Sequence, residues 1–265
     1  MRIRIFFCTL SVLTLACLAT PAQAQLAVTG DTVEDHHVEA GIVFWKPDPE
    51  LVLRTGSGGT DVDLINVFGV ESKNFNEFRV TLKPGRKHKI RFQYVPMEYD
   101  KNAVLTQTFT FGGRTYTVNA AASMDFEWTL MRFGYEWDAV STDRGFFGII
   151  AELKHNKITA DLTSAALNVS SSTDTTAPLP AFGGIGRVYV APSVSLTAEV
   201  TGFKLPESDD MRGKFVDFDI YGTFSLGKHV GVQGGYRSLD VDYLVDDDAG
   251  ELKMKGPYFG ALVRF

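Results

Sequence analysis

From position 35 onward the chain alternates apolar and polar residues in blocks of about ten, the period of two that strands show rather than the 3.6 of helices. Val38, Ala40, Ile42 and Phe44 share one face of the first block, with His37, Glu39 and Gly41 on the other. Phe78, Val80 and Leu82 oppose Glu77, Arg79 and Thr81, and Ile90, Phe92 and Tyr94 oppose Lys89, Arg91 and Gln93. The pattern returns in Phe133, Tyr135 and Trp137 against Arg132, Glu136 and Asp138, and in Phe147, Ile149, Ala151 and Leu153 against Glu152 and Lys154. Further on, Leu196, Ala198 and Val200 oppose Thr197 and Glu199, and Val216, Phe218 and Ile220 oppose Asp217 and Asp219. Each block has one apolar and one charged face.

A water-soluble sandwich also alternates, so the connectors decide. Four are very short, at 84–87, 142–145, 191–193 and 227–229, and between them stand long or polar ones at 47–74, 100–123, 160–180, 206–213 and 246–250. Tight turns at one end and long loops at the other predict an antiparallel up-and-down transmembrane β-barrel, with periplasmic turns and extracellular loops. The turns delimit about ten strands, near 36–46, 76–83, 88–98, 125–140, 146–159, 183–191, 194–205, 214–226, 230–244 and 252–265. Eight or twelve remain compatible with the pattern, since 60–70 reads as an extra strand and 106–118, split by Gly112-Gly113, as an extracellular hairpin. Tyr236 and Val241 cannot share a face of a regular strand, which predicts a bulge at Ser238.

Composition changes this picture at one point. Residues 1–24 carry Arg2 and Arg4, the apolar run Ile5–Leu18 and the small-x-small end Ala22-Gln23-Ala24, a cleavable secretory signal peptide, with 25–265 as the barrel domain. Both cysteines, Cys8 and Cys17, fall inside it, so the remainder has no thiol for a disulfide, a nucleophile or a metal. It carries 24 basic and 32 acidic residues, a balance that argues against nucleic acid as a partner. Mean hydropathy is −0.01, too low for a helical membrane bundle but ordinary for a barrel with a polar lining.

The last strand, Tyr258-Phe259-Gly260-Ala261-Leu262-Val263-Arg264-Phe265, ends on an aromatic residue, with Phe259, Ala261 and Val263 at steps of two. It resembles the terminal signal by which the barrel-assembly machinery recognises Gram-negative outer-membrane barrels. Segments 84–94, 132–137, 183–190 and 235–241 are similar to segments of the small, mostly uncharacterised barrels of the porin-like superfamily. The resemblance implies residence in the bacterial outer membrane, the assembly machinery as a partner in biogenesis, and outer-membrane lipid and lipopolysaccharide around the wall. Tyr94, Tyr135, Trp137, Phe147, Phe224, Tyr236 and Phe259 fit the aromatic girdles of such a barrel.

With apolar faces toward lipid, the lumen collects Glu39, Glu77, Arg79, Lys89, Arg91, Arg132, Glu136, Asp138, Glu152, Lys154, Arg187, Glu199, Asp217, Asp219 and Arg237. Both signs in similar number predict a plug of interlocking ion pairs, and a narrow polar path for small ions is the alternative. Hairpin arithmetic across the 227–229 turn brings Asp217 toward Asp240, with Asp242, Asp209, Asp210, Asp246, Asp247 and Asp248 nearby. Such carboxylates suit a hard cation, or are solvated loop charges relieved by Arg212, Lys214, Lys253 and Lys255. For catalysis at the rim, as in outer-membrane proteases and lipid A acylhydrolases, His155 is the one histidine at that end, yet it has lipid-facing parity with Leu153 and Lys157. No nucleophile elbow, phosphate loop or metal-ligand motif is present, and no cofactor is implied. The reading is therefore a non-enzymatic envelope or surface-interaction barrel, with a channel and a rim hydrolase as its alternatives.

Overall fold

The computed structural model describes residues 36–265 apart from 57 and 206–210; the expected signal peptide at 1–24, and Asp209 and Asp210, lie outside the described residues. In chain order the elements are β1 (Val38–Trp45), β2 (Asp48–Arg54), β3 (Val62–Asp63), α1 (Leu64–Phe68), β4 (Phe75–Gly85), β5 (His88–Val104), β6 (Phe109–Phe111) and β7 (Arg114–Tyr116). They continue as β8 (Ala121–Thr142), β9 (Gly145–Ser164), β10 (Val169–Ala191), β11 (Val194–Lys204), β12 (Met211–Ser225), β13 (Val230–Val245) and β14 (Asp248–Arg264). Ten of them form an antiparallel ring in the order β1-β4-β5-β8-β9-β10-β11-β12-β13-β14, and β14 pairs back onto β1 from Glu39↔Arg264 to Trp45↔Tyr258. Closure leaves no unpaired edge within the ring, the condition for strands to lie in lipid.

Beyond Trp45 the wall continues differently. The chain kinks at Lys46-Pro47, and β2 replaces β1 as the neighbour of β14, from Lys255↔Asp48 to Ala249↔Arg54. Gly256 makes the handover possible: a Cβ there would stand 2.2 Å from the Lys46 carbonyl oxygen. The Trp45 indole N–H donates to the Gly256 carbonyl at 3.2 Å and fixes the bend.

Several strands run far past the 9–11 residues that cross a bilayer: β8 has 22, β9 20 and β10 23. The segments expected as loops at 100–123 and 160–180 are thus largely sheet. β9 and β10 pair without interruption from Val188↔Gly145 to Val169↔Ser164, turning over Ala165–Asn168 with Asn168 left-handed at φ 54°. The expected strand at 60–70 is instead two residues of β3 and the short helix α1, capped by the Asp63 carboxylate accepting from the Ile65 and Asn66 amides. The 106–118 segment is the hairpin β6–β7, with Gly112 and Gly113 both at positive φ in its turn.

Side-chain polarity inverts along these strands. Near the tight-turn end the outward positions are apolar, as in Phe133, Tyr135 and Trp137 of β8, and the inward positions are charged. Higher on the same strand the inward positions become Leu130, Trp128, Phe126 and Met124, all buried, and the outward ones Glu127 and Asp125, both exposed. The same switch explains β13 without a bulge. Its register with β12 and β14 runs unbroken through Ser238, Tyr236 faces outward at 44% exposure, and Leu239 and Val241 face inward at 0% and 4%. Tyr236 and Val241 do not share a face because the medium outside changes from lipid to water between them.

Candidate functional site

The lumen inside the apolar belt holds a connected circuit of charges. The contributing strands do so from their inward parity, so neighbouring strands present their ionisable groups at one level. Arg132 of β8 is the hub: its guanidinium donates to Glu152 at 2.8 and 3.0 Å, to Glu199 at 2.5 Å and to the Gln93 side-chain oxygen at 2.6 Å. Lys154 bridges Asp217 at 2.8 Å and Glu152 at 3.1 Å. Arg237, fully buried, grips Asp217 with two parallel bonds of 2.8 and 3.0 Å and reaches Glu77 at 2.8 Å. Glu77 also accepts from Arg79 and Gln93, and Arg79 continues to Asp219 at 3.1 Å, where the Tyr258 hydroxyl donates at 2.7 Å.

On the other side of the hub, Glu199 takes Arg91 at 2.5 Å, Arg91 meets Glu136 at 3.3 Å, and Lys89 joins Glu136 at 2.7 Å to Asp138 at 3.0 Å. Two more of the lumen residues read from the sequence lie beside this circuit. Glu39 pairs with Arg264 at 2.6 Å, and Arg187 donates to the Thr197 hydroxyl at 2.9 Å. Gln93 and Tyr258 also belong to the circuit, and Arg264 to the Glu39 pair, although none of the three is among the alternating charges of the sequence. Gln93 and Tyr258 carry no formal charge, and Arg264 sits in the terminal segment read for its aromatic spacing. Their inward parity was the available signal.

Directly above the circuit the lumen is filled by apolar side chains. The boundary is marked by two cations lying over rings, Arg237 at 5.3 Å from the Trp45 centroid and Lys154 at 4.3 Å from Phe215. Above it, Leu51 and Leu53 of β2, Leu64 and Phe68 of α1, and Phe109, Phe111 and Tyr116 of the β6–β7 hairpin pack onto the inward faces of β5, β8 and β9. Several polar atoms there are paired: the Trp128 indole with Asn156 at 3.1 Å, the Tyr116 hydroxyl with the Leu162 carbonyl at 2.8 Å, and Ser171 with the Phe111 carbonyl at 2.9 Å; the Tyr99 hydroxyl and the Asn156 side-chain nitrogen are buried without a hydrogen-bond partner among the described residues. Asp248 accepts from Thr55 at 2.7 Å and from the Gly56 amide at 2.8 Å, holding the cap to the β13–β14 turn.

Among the described residues, Asp217, Asp240 and Asp242, the possible cation site, are not brought together. β12 and β13 align Asp217 with Leu239 and Val216 with Asp240, and a slip of one residue in register exchanges faces. Asp217 therefore points into the lumen, while Asp240 and Asp242 point outward, where Lys214 meets Asp240 at 3.5 Å and Arg212 meets Asp242 at 3.1 Å. Among the described residues no group of three or more His, Cys, Asp or Glu is placed to hold a metal. His155 lies on the outer face of β9, level with Pro178 and Met131, across the wall from the inward Asp217 and Asp219. The girdle aromatics face outward, as do Phe259, Ala261, Val263 and Phe265 of the terminal segment.

No protein-family model matches the chain, and no curated protein matches it. Among solved structures, the outer-membrane protease OmpT of Escherichia coli aligns with a TM-score of 0.54 at 9% identity, over 86% of this chain and 97% of that one. The transport unit of the Escherichia coli autotransporter AIDA-I aligns at 0.44 with 8% identity, over 88% and 91%. The Yersinia pestis attachment protein Ail aligns at 0.39 with 10% identity, over 86% and 99%. A closed ten-stranded ring with an apolar belt, aromatic girdles and the OmpT-like course of its strands is the fold of the bacterial outer-membrane β-barrels.

Proposed function

We propose that this is a non-enzymatic, non-conducting barrel of the outer membrane that contributes to envelope integrity and carries an ordered protein surface above the lipid. The observation that carries the reading is the inversion of polarity along the strands. A conducting barrel needs a continuous polar path, whereas here the ionic circuit gives way to a packed apolar layer built from β2, α1 and the β6–β7 hairpin. The cap also supplies an inner face for the long extensions of β5, β8, β9 and β10, which hold a stiff sheet outside the membrane. Lipopolysaccharide and the other outer-membrane lipids would surround the belt, and the outward Phe259, Ala261, Val263 and Phe265 would serve recognition by the assembly machinery.

Planar-bilayer recording on the refolded protein tests this directly. Silence at physiological voltages is the expected result; a stable, charge-selective conductance from the unaltered barrel would overturn it. Incubation with lipopolysaccharide and with a basic peptide should leave both intact, and a cleaved product of either would replace the reading with a hydrolase.

A further inference from the structure

The wall of the extension has one edge that no described strand covers. β10 pairs with β9 along its whole upper part, but β11 pairs with β10 only over Phe182–Ala191 and ends at Lys204. The next backbone bond, from the Leu205 amide to the Gly213 carbonyl, goes to β12. Among the described residues, 169–181 of β10 are thus an edge. The direction of its hydrogen-bonding groups follows from two observations. The Tyr189 amide bonds the Arg144 carbonyl on the β9 side, so odd-numbered amides of this strand point to β9 and even-numbered ones to the edge. Pro178 and Pro180, which have no amide to donate, both fall on even positions, where prolines are tolerated. Ser170, Ser172, Asp174 and Thr176 therefore offer a row of amides and carbonyls that have no backbone partner among the described residues, and the two prolines stop the row before the lipid belt.

The outward face beside this edge is acidic. Ser172 stands level with Asp161, Asp161 with Asp125 and Asp125 with Asp100, while Glu98 stands opposite Glu127 one step lower. Like charges directly opposed on a sheet are unfavourable. Their proximity, with partial burial the larger cause, raises the Asp125 carboxyl above its ordinary range. Only Lys157, at 3.6 Å from Asp174, answers them on this face among the ion pairs of the described residues. A second copy of the chain would bring the same carboxylates to the edge, so charge selects a cationic occupant.

We propose that the edge of β10 from Ser170 to Thr176 is a strand-addition site for an extended Lys- or Arg-rich peptide segment, running antiparallel to β10. Its backbone bonds the even-numbered residues, and the side chains that share their parity lie outward against Asp174 and Asp161. That the partner arrives from outside the cell rests on the orientation given above, but binding to the refolded barrel does not depend on whether the lumen conducts.

The test uses the full barrel in detergent and a fluorescent eight-residue probe alternating Lys and Thr, followed by anisotropy. Saturable binding is expected. In the added strand the outward lysines direct their amides at β10, so N-methylation of the lysine amides should weaken binding by about tenfold or more, and N-methylation of the threonine amides by less than about threefold, at unchanged charge. Ser172→Pro removes one edge amide and leaves the β9 ladder whole, and should weaken the unmodified probe by a similar factor of about ten. Asp161→Asn with Asp174→Asn should weaken it by about tenfold at low salt and less at high salt. Equal affinity for the two methylated probes, or no saturable binding of the unmodified one, would overturn the proposal.

Discussion

At the scale of single residues, Arg237 has the most to lose. It is fully buried, makes both bonds of a fork to Asp217 and a third to Glu77, and lies over Trp45. Truncation leaves two carboxylates facing each other without their shared cation, and breaking a buried pair from one side costs about 3–5 kcal/mol. Arg237→Ala should lower the urea midpoint of the refolded barrel, and adding Glu77→Gln to it should recover part of the loss, because the second substitution removes one of the two carboxylates that lost a cation, Glu77 keeping only Arg79 and Asp217 keeping Lys154 and Arg132. Asp125 makes the opposite case. The folded extension holds its carboxyl above the ordinary range, by partial burial first and then by Asp100, Glu98 and Asp161. The folded form is thus favoured when this group is protonated. That contribution is fully present below the ordinary aspartate value and is lost as pH rises through the raised one. Asp125→Asn should consequently slow amide exchange in β5, β8 and β9 above Val95, Leu130 and Asn156 at pH 7, by no more than about 1 kcal/mol. Near pH 3 the variant and the unaltered protein should match, and a larger effect there would reverse the assignment.

At the scale of elements, β10 allows a sharp contrast. Ser172 and Thr173 are adjacent, equally polar and in one strand, yet their amides face different neighbours: one the open edge, the other β9. Proline at 172 should leave heat-modifiable gel migration unchanged, whereas Thr173→Pro removes a ladder bond and sets the ring against β9. The latter should release the β9–β10 extension to proteolysis while the barrel below stays folded. The same element shows how much was legible beforehand. Alternation identified the belt strands and turn lengths their order, because lipid outside and charge inside are imposed by the medium on every strand alike. The extensions of β9 and β10 escaped because 160–180 is rich in Ser, Thr and Pro with no apolar outward face, and polar alternation against water resembles a loop. Ser238 differs from expectation for a related reason: it stands where the surroundings change, so one rule for which face is apolar does not hold on both sides of it. The inward charges were readable from parity. Their partners were not, since contact across the lumen depends on barrel radius and strand stagger, and the Asp217/Asp240 pairing failed on a single step of register.

At the scale of the whole molecule, the barrel is on the proposed reading sealed twice, by unlike means. On that reading the ionic circuit would exclude ions because its charges already have partners that a passing ion would have to displace. The cap would exclude them because Trp128, Phe126, Phe111 and their neighbours form a buried apolar layer among the described residues. Two seals in series make a definite pattern of conductances. Replacing 106–118, which carries β6 and β7, by a short Gly-Ser linker removes part of the apolar layer but leaves Arg132 bound to Glu152 and Glu199, so this variant should stay silent in a planar bilayer. Arg132→Ala alone opens the hub beneath an intact cap and should be silent as well, though less stable. Only the combination connects the two aqueous sides, and discrete openings are expected from it, with cation preference because loss of Arg132 leaves Glu152, Glu199 and Asp217 in excess. Openings from the loop replacement alone would mean that the charge circuit is permeable and that the cap is the one barrier. Openings from Arg132→Ala alone would put the barrier in the circuit and leave the cap a scaffold for the outer sheet.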